Sequence, residues 1–195
     1  ERMQALLDDL TDLSLIETES ITLVPESIDL EECVLDSIAA LTAPARARDI
    51  DVLVELPRGL RVLADRRRLD QILVNVIANA IKFNRAAGDV RVGAAAERGR
   101  IVVTIDDSGE GVPPEDLERI FQRFYRRDRA RSREAGGTGL GLAIVKHLMR
   151  LHGGSVQAEN LPGGGTRIVL TFPAGAGESV TPSAHPSPEG ALPDA

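Results

Sequence analysis

Asn75, Asn79 and Lys82 fall at spacings that a helix would gather on one edge. At about 100° per residue the three lie within roughly 60° of one another, some 110–120° from the apolar stripe of Leu69, Ile72, Leu73, Val76, Ile77 and Ala80. Carboxamide oxygens ligate hard cations, and amide and ammonium groups donate to phosphate oxygens, so this edge suits a magnesium-phosphate group. The same residues would also serve as a solvated polar stripe.

Three further groups follow along the chain. Residues 106–111 read Asp-Asp-Ser-Gly-Glu-Gly after a β-like run. A carboxylate held at a strand end can accept from an exocyclic amine, and side-chain-free Gly109 and Gly111 let a flat ring approach the backbone. An ordinary acidic turn has the same composition. Residues 136–142, Gly-Gly-Thr-Gly-Leu-Gly-Leu, open onto a helix. Free backbone N–H groups and the helix N-terminus there would surround a di- or triphosphate, although a loop and helix start alone would read alike. No Gly-Lys-Ser/Thr follows, so this is not a P-loop, and the strand-to-helix setting of a dinucleotide fingerprint is missing. Between these lies 120–126, Ile-Phe-Gln-Arg-Phe-Tyr-Arg, followed by Arg127, Arg129, Arg131 and Arg133. The segment reads as a lid whose arginines meet ligand phosphates and whose anchors are Phe121 and Phe124. A nucleic-acid arm is the competing reading, diluted by Asp128 and Glu134.

Elements must hold these groups in place. Apolar periodicity predicts helices over 66–84 and 139–151, and Leu30, Val34, Ile38 and Leu41 predict an earlier one to about 46, capped by Ser27 or Asp29 after Pro25. Paired β-like runs predict three hairpins: 51–56 with 61–64 around Pro57-Arg58-Gly59, 90–96 with 101–106, and 155–160 with 166–172. Ile101, Val103 and Ile105 share one face. The fold expected is α+β, a two-layer sandwich of one sheet covered on one face by helices.

Composition sets limits on function. With 43% hydrophobic and 27% charged residues the chain buries a core. A net charge of −7 opposes non-specific nucleic-acid binding, and 3% aromatics with no Trp oppose a base-stacking platform. Cys33 stands alone, which excludes an internal disulfide and fits a reducing, cytoplasmic setting. No apolar run is long enough to span a bilayer, and the opening Glu1 fits a piece of a larger protein. Met3, Leu6, Leu10 and Leu13 form a helical seam in 1–20 that wants a partner helix; 21–173 forms the main domain; the Pro, Ala, Ser and Gly-rich 174–195 is expected to be disordered.

In this order the four groups resemble the ATP-binding catalytic domain of bacterial sensor histidine kinases. The N box of that family is similar to 70–83, its first glycine box to 107–111, its F box to 121–126 and its second glycine box to 137–142. The resemblance covers about 1–173 and implies the Bergerat-type ATP fold of gyrase, heat-shock chaperones and MutL, a mixed sheet backed by helices. It implies ATP and Mg2+ as ligands, with Asn79 on the metal and Asn75, Lys82 and Arg126 near the phosphates as the catalytic set. Asp107 would accept from the adenine amine, with Gly109 and Gly111 beside the ring. Val112, Ile120 and Tyr125 would line adenine and ribose, and Gly137, Thr138, Gly139 and Leu140 would form the lid and phosphate-binding helix start.

ATP-hydrolysing members resemble one another in a Glu four residues before the metal-binding Asn. Here that residue is Asn75, which cannot deprotonate water, so transfer to an acceptor is expected rather than hydrolysis. The resemblance makes the acceptor a histidine on a dimerisation hairpin, of which 1–20 looks like the end of the second helix. None of His147, His152 and His185 stands in an acceptor context, so self-phosphorylation is not expected. A response regulator receiver domain is the implied downstream partner, nucleic acid is not a partner, and any membrane anchor would belong to upstream segments. Asn84, where the family often has Thr or Ser, is a minor departure. An anti-sigma-type protein serine kinase and a non-catalytic nucleotide-sensing module are the alternative functions, the first disfavoured by the leucine seam.

Overall fold

The computed structural model describes residues 22–126 and 138–173. The leucine seam, the tail, the arginines after Arg126, Gly137 and His185 lie outside the described residues.

β1 (Glu26–Asp29) runs directly into α1 (Leu30–Ala40). Asp29, rather than Ser27, is the cap: its Oδ1 accepts from the N–H groups of Glu31 and Glu32 at 3.1 and 3.3 Å. The helix pauses at Leu41 and resumes as the short α2 (Thr42–Arg46), because Pro44 has no N–H to give to the carbonyl of Ala40. Then come β2 (Asp51–Glu55), β3 (Arg61–Ala64), α3 (Arg66–Lys82), β4 (Asp89–Glu97) and β5 (Arg100–Asp107). Two 3-10 turns, Pro114–Asp116 and Arg119–Phe121, lead towards α4 (Gly141–Leu151), and β6 (Ser155–Asn160) and β7 (Thr166–Pro173) close the fold.

The main sheet has the order β2-β4-β5-β7-β6, with β2 parallel to β4 and all other neighbours antiparallel. The hairpins over β4–β5 and β6–β7 match the expectation. The one expected over 51–56 and 61–64 does not form. β3 instead joins β1, with Val62 opposite Ile28, in a separate two-stranded ribbon where Val62 and Ala64 are 1% and 0% exposed. β2 lies at the sheet edge, Val52 opposite Val90 and Val54 opposite Val92. Pro57-Arg58-Gly59 supplies a turn, yet the pairings that bury most apolar surface are the non-local ones. The parallel β2–β4 pair needs a long crossover, which the stretch containing α3 provides.

α3 is the central helix, packed between α1 and α4 and against β5. Leu69, Ile72, Leu73, Val76, Ile77, Ala80 and Ile81 are buried along one stripe, the larger of them each stabilising the fold by about 1.5–3 kcal/mol. Asp65 caps it, Oδ1 accepting from Arg68 N–H and Oδ2 from Val24 N–H, both at 3.0 Å. Burial disfavours the Asp65 charge, but these two donors hold its carboxyl below the ordinary value. His152 Nε2 accepts from the Asp65 N–H at 3.1 Å and its Nδ1 meets the Leu148 carbonyl at 2.8 Å, so both ring nitrogens are engaged in joining α4 to the start of α3. Ser37, fully buried on α1, donates to Asp70 Oδ1 at 2.9 Å and ties α1 to α3. Burial pushes the Cys33 thiol up to about 11, which leaves it protonated and unreactive in the core. No helix among the described residues is long and apolar enough to cross a membrane.

Candidate functional site

Strand parity separates the two aspartates at the end of β5. Ile101, Val103 and Ile105 face the helices, so Asp107 falls on the helix-covered side and Asp106 on the other. Asp106 is taken by a two-pronged bond from Arg167, Nε to Oδ1 and Nη2 to Oδ2, each 2.7 Å. Asp107 Oδ1 accepts from the N–H of Gly109 at 2.8 Å and, more weakly, from that of Thr166 at 3.3 Å. Burial pushes the Asp107 carboxyl above its ordinary value, against the pull of those N–H groups and of the Thr166 hydroxyl. A half-buried carboxylate fixed by one oxygen at a strand end is equipped to accept from a ligand amine.

The end of α3 abuts this turn. A Cβ on Gly109 would stand 2.7 Å from the Phe83 carbonyl oxygen. Next to it, the buried Asn84 donates from Nδ2 to the Asp89 carbonyl at 2.8 Å, and its Oδ1 accepts from Ser108 Oγ at 3.1 Å and Arg85 N–H at 2.9 Å. Ser108 Oγ in turn accepts from Asp89 N–H at 2.9 Å. The minor departure at Asn84 is therefore a three-way tie between α3, β4 and the Asp107 turn. Replacing Asn84 with alanine strands buried partners, so we expect a loss of about 1–3 kcal/mol in chemical denaturation. Nucleotide affinity should fall with it.

On its far side the turn meets the β6–β7 hairpin. Asn160 Oδ1 accepts from Val112 N–H at 2.9 Å, and Asn160 Nδ2 donates to the Val112 carbonyl at 2.6 Å. Gly165, with φ +97°, packs its backbone so closely on the Asp107 carbonyl that no Cβ could fit. Neither Asn160, Gly165 nor Thr166 was singled out from the sequence. The glycine run at 163–165 is the sequence signal nearest to them, and by itself it indicates only a turn.

One helical stretch away lies a second cluster. The first turn of α4 passes so near Asn75 that a Cβ on Gly141 would stand 2.7 Å from Asn75 Oδ1, while Asn75 Nδ2 donates to the Gln71 carbonyl at 3.0 Å. Leu140, the N-cap of α4, offers no capping side chain, and a helix start of this kind is suited to an anion. Before it, Thr138 Oγ1 accepts from Leu140 N–H at 3.1 Å, and Leu140 is buried. The F box meets this segment through the Phe124 N–H, which donates to the Gly139 carbonyl at 2.9 Å; Phe121 anchors in the core, but the Phe124 side chain, expected as a second anchor, is exposed. Arg119 bonds Asp116 at 2.7 Å and lies 5.2 Å from the centre of the Tyr125 ring. Tyr125 and Arg126 are half-buried, and Ile120 packs against the core.

Gly109 and Asp107 thus lie at the C-terminal end of α3, and the start of α4 lies against Asn75, midway along it. Asn79 and Lys82 lie between, with the Lys82 ammonium 4.8 Å from the centre of the exposed Phe83 ring. From Asn75 to Phe83 the helix rises about 12 Å, comparable with an extended nucleoside triphosphate. An amine acceptor at one end, an anion-ready helix terminus at the other and a mixed sheet behind them define a nucleotide-binding sandwich.

Residues 64–176 match the family described as histidine kinase-, DNA gyrase B-, and HSP90-like ATPase, and the chain belongs to that family. It is similar to the sensor-like histidine kinase SenX3 of Mycobacterium tuberculosis (strain ATCC 25618 / H37Rv), with 39% identity over 147 residues, 75% of this chain and 36% of the relative. Among solved structures it resembles full-length ShkA in complex with AMPPNP, at TM-score 0.78 and 31% identity, covering 88% of this chain and 35% of that one. It also resembles histidine kinase ThkA in complex with response regulator protein TrrA, at TM-score 0.70 and 25% identity, covering 89% and 49%. The fold is that of the ATP-binding catalytic domain of sensor histidine kinases, and the chain spans about a third of the length of the curated relative named above.

Proposed function

We propose that this chain, over 21–173, is the ATP-binding and phosphoryl-transferring unit of a sensor histidine kinase. Adenine lies at the Asp107 turn beside Gly109 and Gly111, with Val112, Ile120 and Tyr125 lining adenine and ribose. The phosphates run along the Asn75, Asn79 and Lys82 edge to the start of α4, met by Arg126 and by the backbone of Gly137, Thr138, Gly139 and Leu140. The observation that carries this reading is the separation of the two clusters along α3.

The donor set fits Mg2+. Asn79 offers a carboxamide oxygen, a hard ligand, and among the described residues no group of three His, Cys, Asp or Glu could hold a metal by itself, so the cation would come with the phosphates. When bound, it neutralises phosphate charge. Lys82 and Arg126 add positive charge, and Asn75 offers no base to activate water, which favours an external acceptor over hydrolysis. In the transfer, the bond from the γ-phosphorus to the β,γ-bridging oxygen breaks, a phosphorus–nitrogen bond to an imidazole forms, and ADP leaves. The imidazole belongs to a histidine on a dimerisation domain, as the resemblance to sensor histidine kinases implies; both ring nitrogens of the half-buried His152 are engaged within the fold. The resemblance to ThkA with its response regulator supports a receiver domain as the next partner.

The test is transfer of label from γ-labelled ATP to an added histidine-bearing helical hairpin from a related kinase. Acid-labile label on the hairpin histidine is expected. Label on a serine, or none on any hairpin despite ATP binding, would contradict the transfer proposed.

A further inference from the structure

We propose that Asn160 is a positioning residue that sets the base preference of the nucleotide site by fixing the backbone of Val112, a role resting on the reading of the Asp107 turn as the adenine end. Asn160 is the last residue of β6, and its carboxamide matches a single peptide residue: Oδ1 accepts from Val112 N–H at 2.9 Å and Nδ2 donates to the Val112 carbonyl at 2.6 Å. That is the bonding pattern of a β-bridge, made by a side chain, and it uses both hydrogen-bonding groups of Val112. Among the described residues no other hydrogen bond reaches the backbone of Gly111 or Val112. The chain arrives there through Gly111 at φ +79°, where a Cβ would stand 2.9 Å from Asn160 Oδ1. Glycine thus permits both the turn and the close approach.

Strand register gives the contact its significance. Asn160 is the direct partner of Thr166, the residue whose N–H bonds Asp107 Oδ1. One rung of the β6–β7 ladder therefore holds both ends of the segment 107–112, Thr166 at the carboxylate and Asn160 at Val112. The distance between the amine acceptor and the Val112 side of the site is set by that rung. A purine is read by where its exocyclic group falls once the ring is seated, so a fixed Val112 forces the six-position group towards Asp107. With Val112 released, the ring can shift, and adenine loses its advantage over guanine. The cluster at Asn75 and α4 is untouched.

The experiment compares the wild type with Asn160→Ala and Asn160→Asp in the full chain. The aspartate keeps the acceptor for Val112 N–H but removes the donor and sets a negative charge against the Val112 carbonyl. Calorimetry gives affinities for ATP and GTP, and displacement by inorganic tripolyphosphate reports on the phosphate end. We expect ATP affinity to fall about tenfold in both variants, the ATP-to-GTP ratio to drop towards one, and tripolyphosphate affinity to stay at the wild-type value. Wild-type ATP binding with an unchanged ratio in both variants would overturn the role of Asn160 alone, as would equal weakening of all three ligands. Failure of the wild type to bind ATP would overturn the reading of the site and this role together.

Discussion

Asp107→Asn should lose ATP affinity by at least about a hundredfold while the free protein becomes no less stable. The first effect follows from polarity. Asp107 keeps Oδ1 occupied with the N–H groups of Gly109 and Thr166, and in the site reading its other oxygen meets the adenine amine. An asparagine with its oxygen on those same N–H groups turns its NH2 towards the ligand, so a donor faces a donor. Guanine, with an acceptor oxygen at that position, should suffer less, and the ATP-to-GTP ratio should fall steeply. The second effect follows from linkage. Burial raises the Asp107 carboxyl above 3.8, so the folded state holds this proton more tightly than the unfolded one. Its stabilising contribution is full below the unfolded value and disappears as pH rises through the folded one, leaving a net cost of ionisation at neutral pH. Denaturation should show the variant gaining on the wild type as pH rises above the ordinary carboxylate value. A variant that binds ATP normally would refute the assignment of Asp107.

Gly165→Ala should cost about 2–4 kcal/mol and weaken nucleotide binding, whereas Gly163→Ala should change stability by less than about 0.5 kcal/mol. The two glycines lie in one turn, yet a Cβ on Gly163 meets nothing within 4 Å. On Gly165 a Cβ collides with the Asp107 carbonyl, and the φ of +97° is a conformation that side chains resist. To relieve the collision the β6–β7 turn must move off β5, which breaks the bond from Thr166 to Asp107. Thermal unfolding and ATP titration of both variants measure this. Equal stability of the two would contradict the close packing of the hairpin turn on the Asp107 motif.

The helical parts of this fold were legible because their determinants are local. The stripe from Leu69 to Ala80 and the polar edge from Asn75 to Lys82 both follow from a period of 3.6, and the structure preserves both. The hairpins at 97–100 and 161–165 were legible for the same reason. What escaped was non-local. The choice of β3 to pair with β1, and of β2 to lie parallel to β4, depends on where apolar residues are buried, which a turn signal such as Pro57-Arg58-Gly59 does not encode. The motif residues themselves were visible, but their supports were not. Asn84 on the α3 side, and Asn160, Gly165 and Thr166 on the β6–β7 side, hold the Asp107 turn, and of these the sequence marks only Asn84, as a minor departure. Each acts through a partner at least five residues away along the chain, Asp89 for Asn84 and Val112 for Asn160.

In the function proposed, α3 separates an adenine end from a magnesium-phosphate end. Calorimetric titration of the chain with ATP and ADP, with and without magnesium, tests it most directly. Both nucleotides should bind, more tightly with magnesium. Absence of binding to either nucleotide in the presence of magnesium would contradict it.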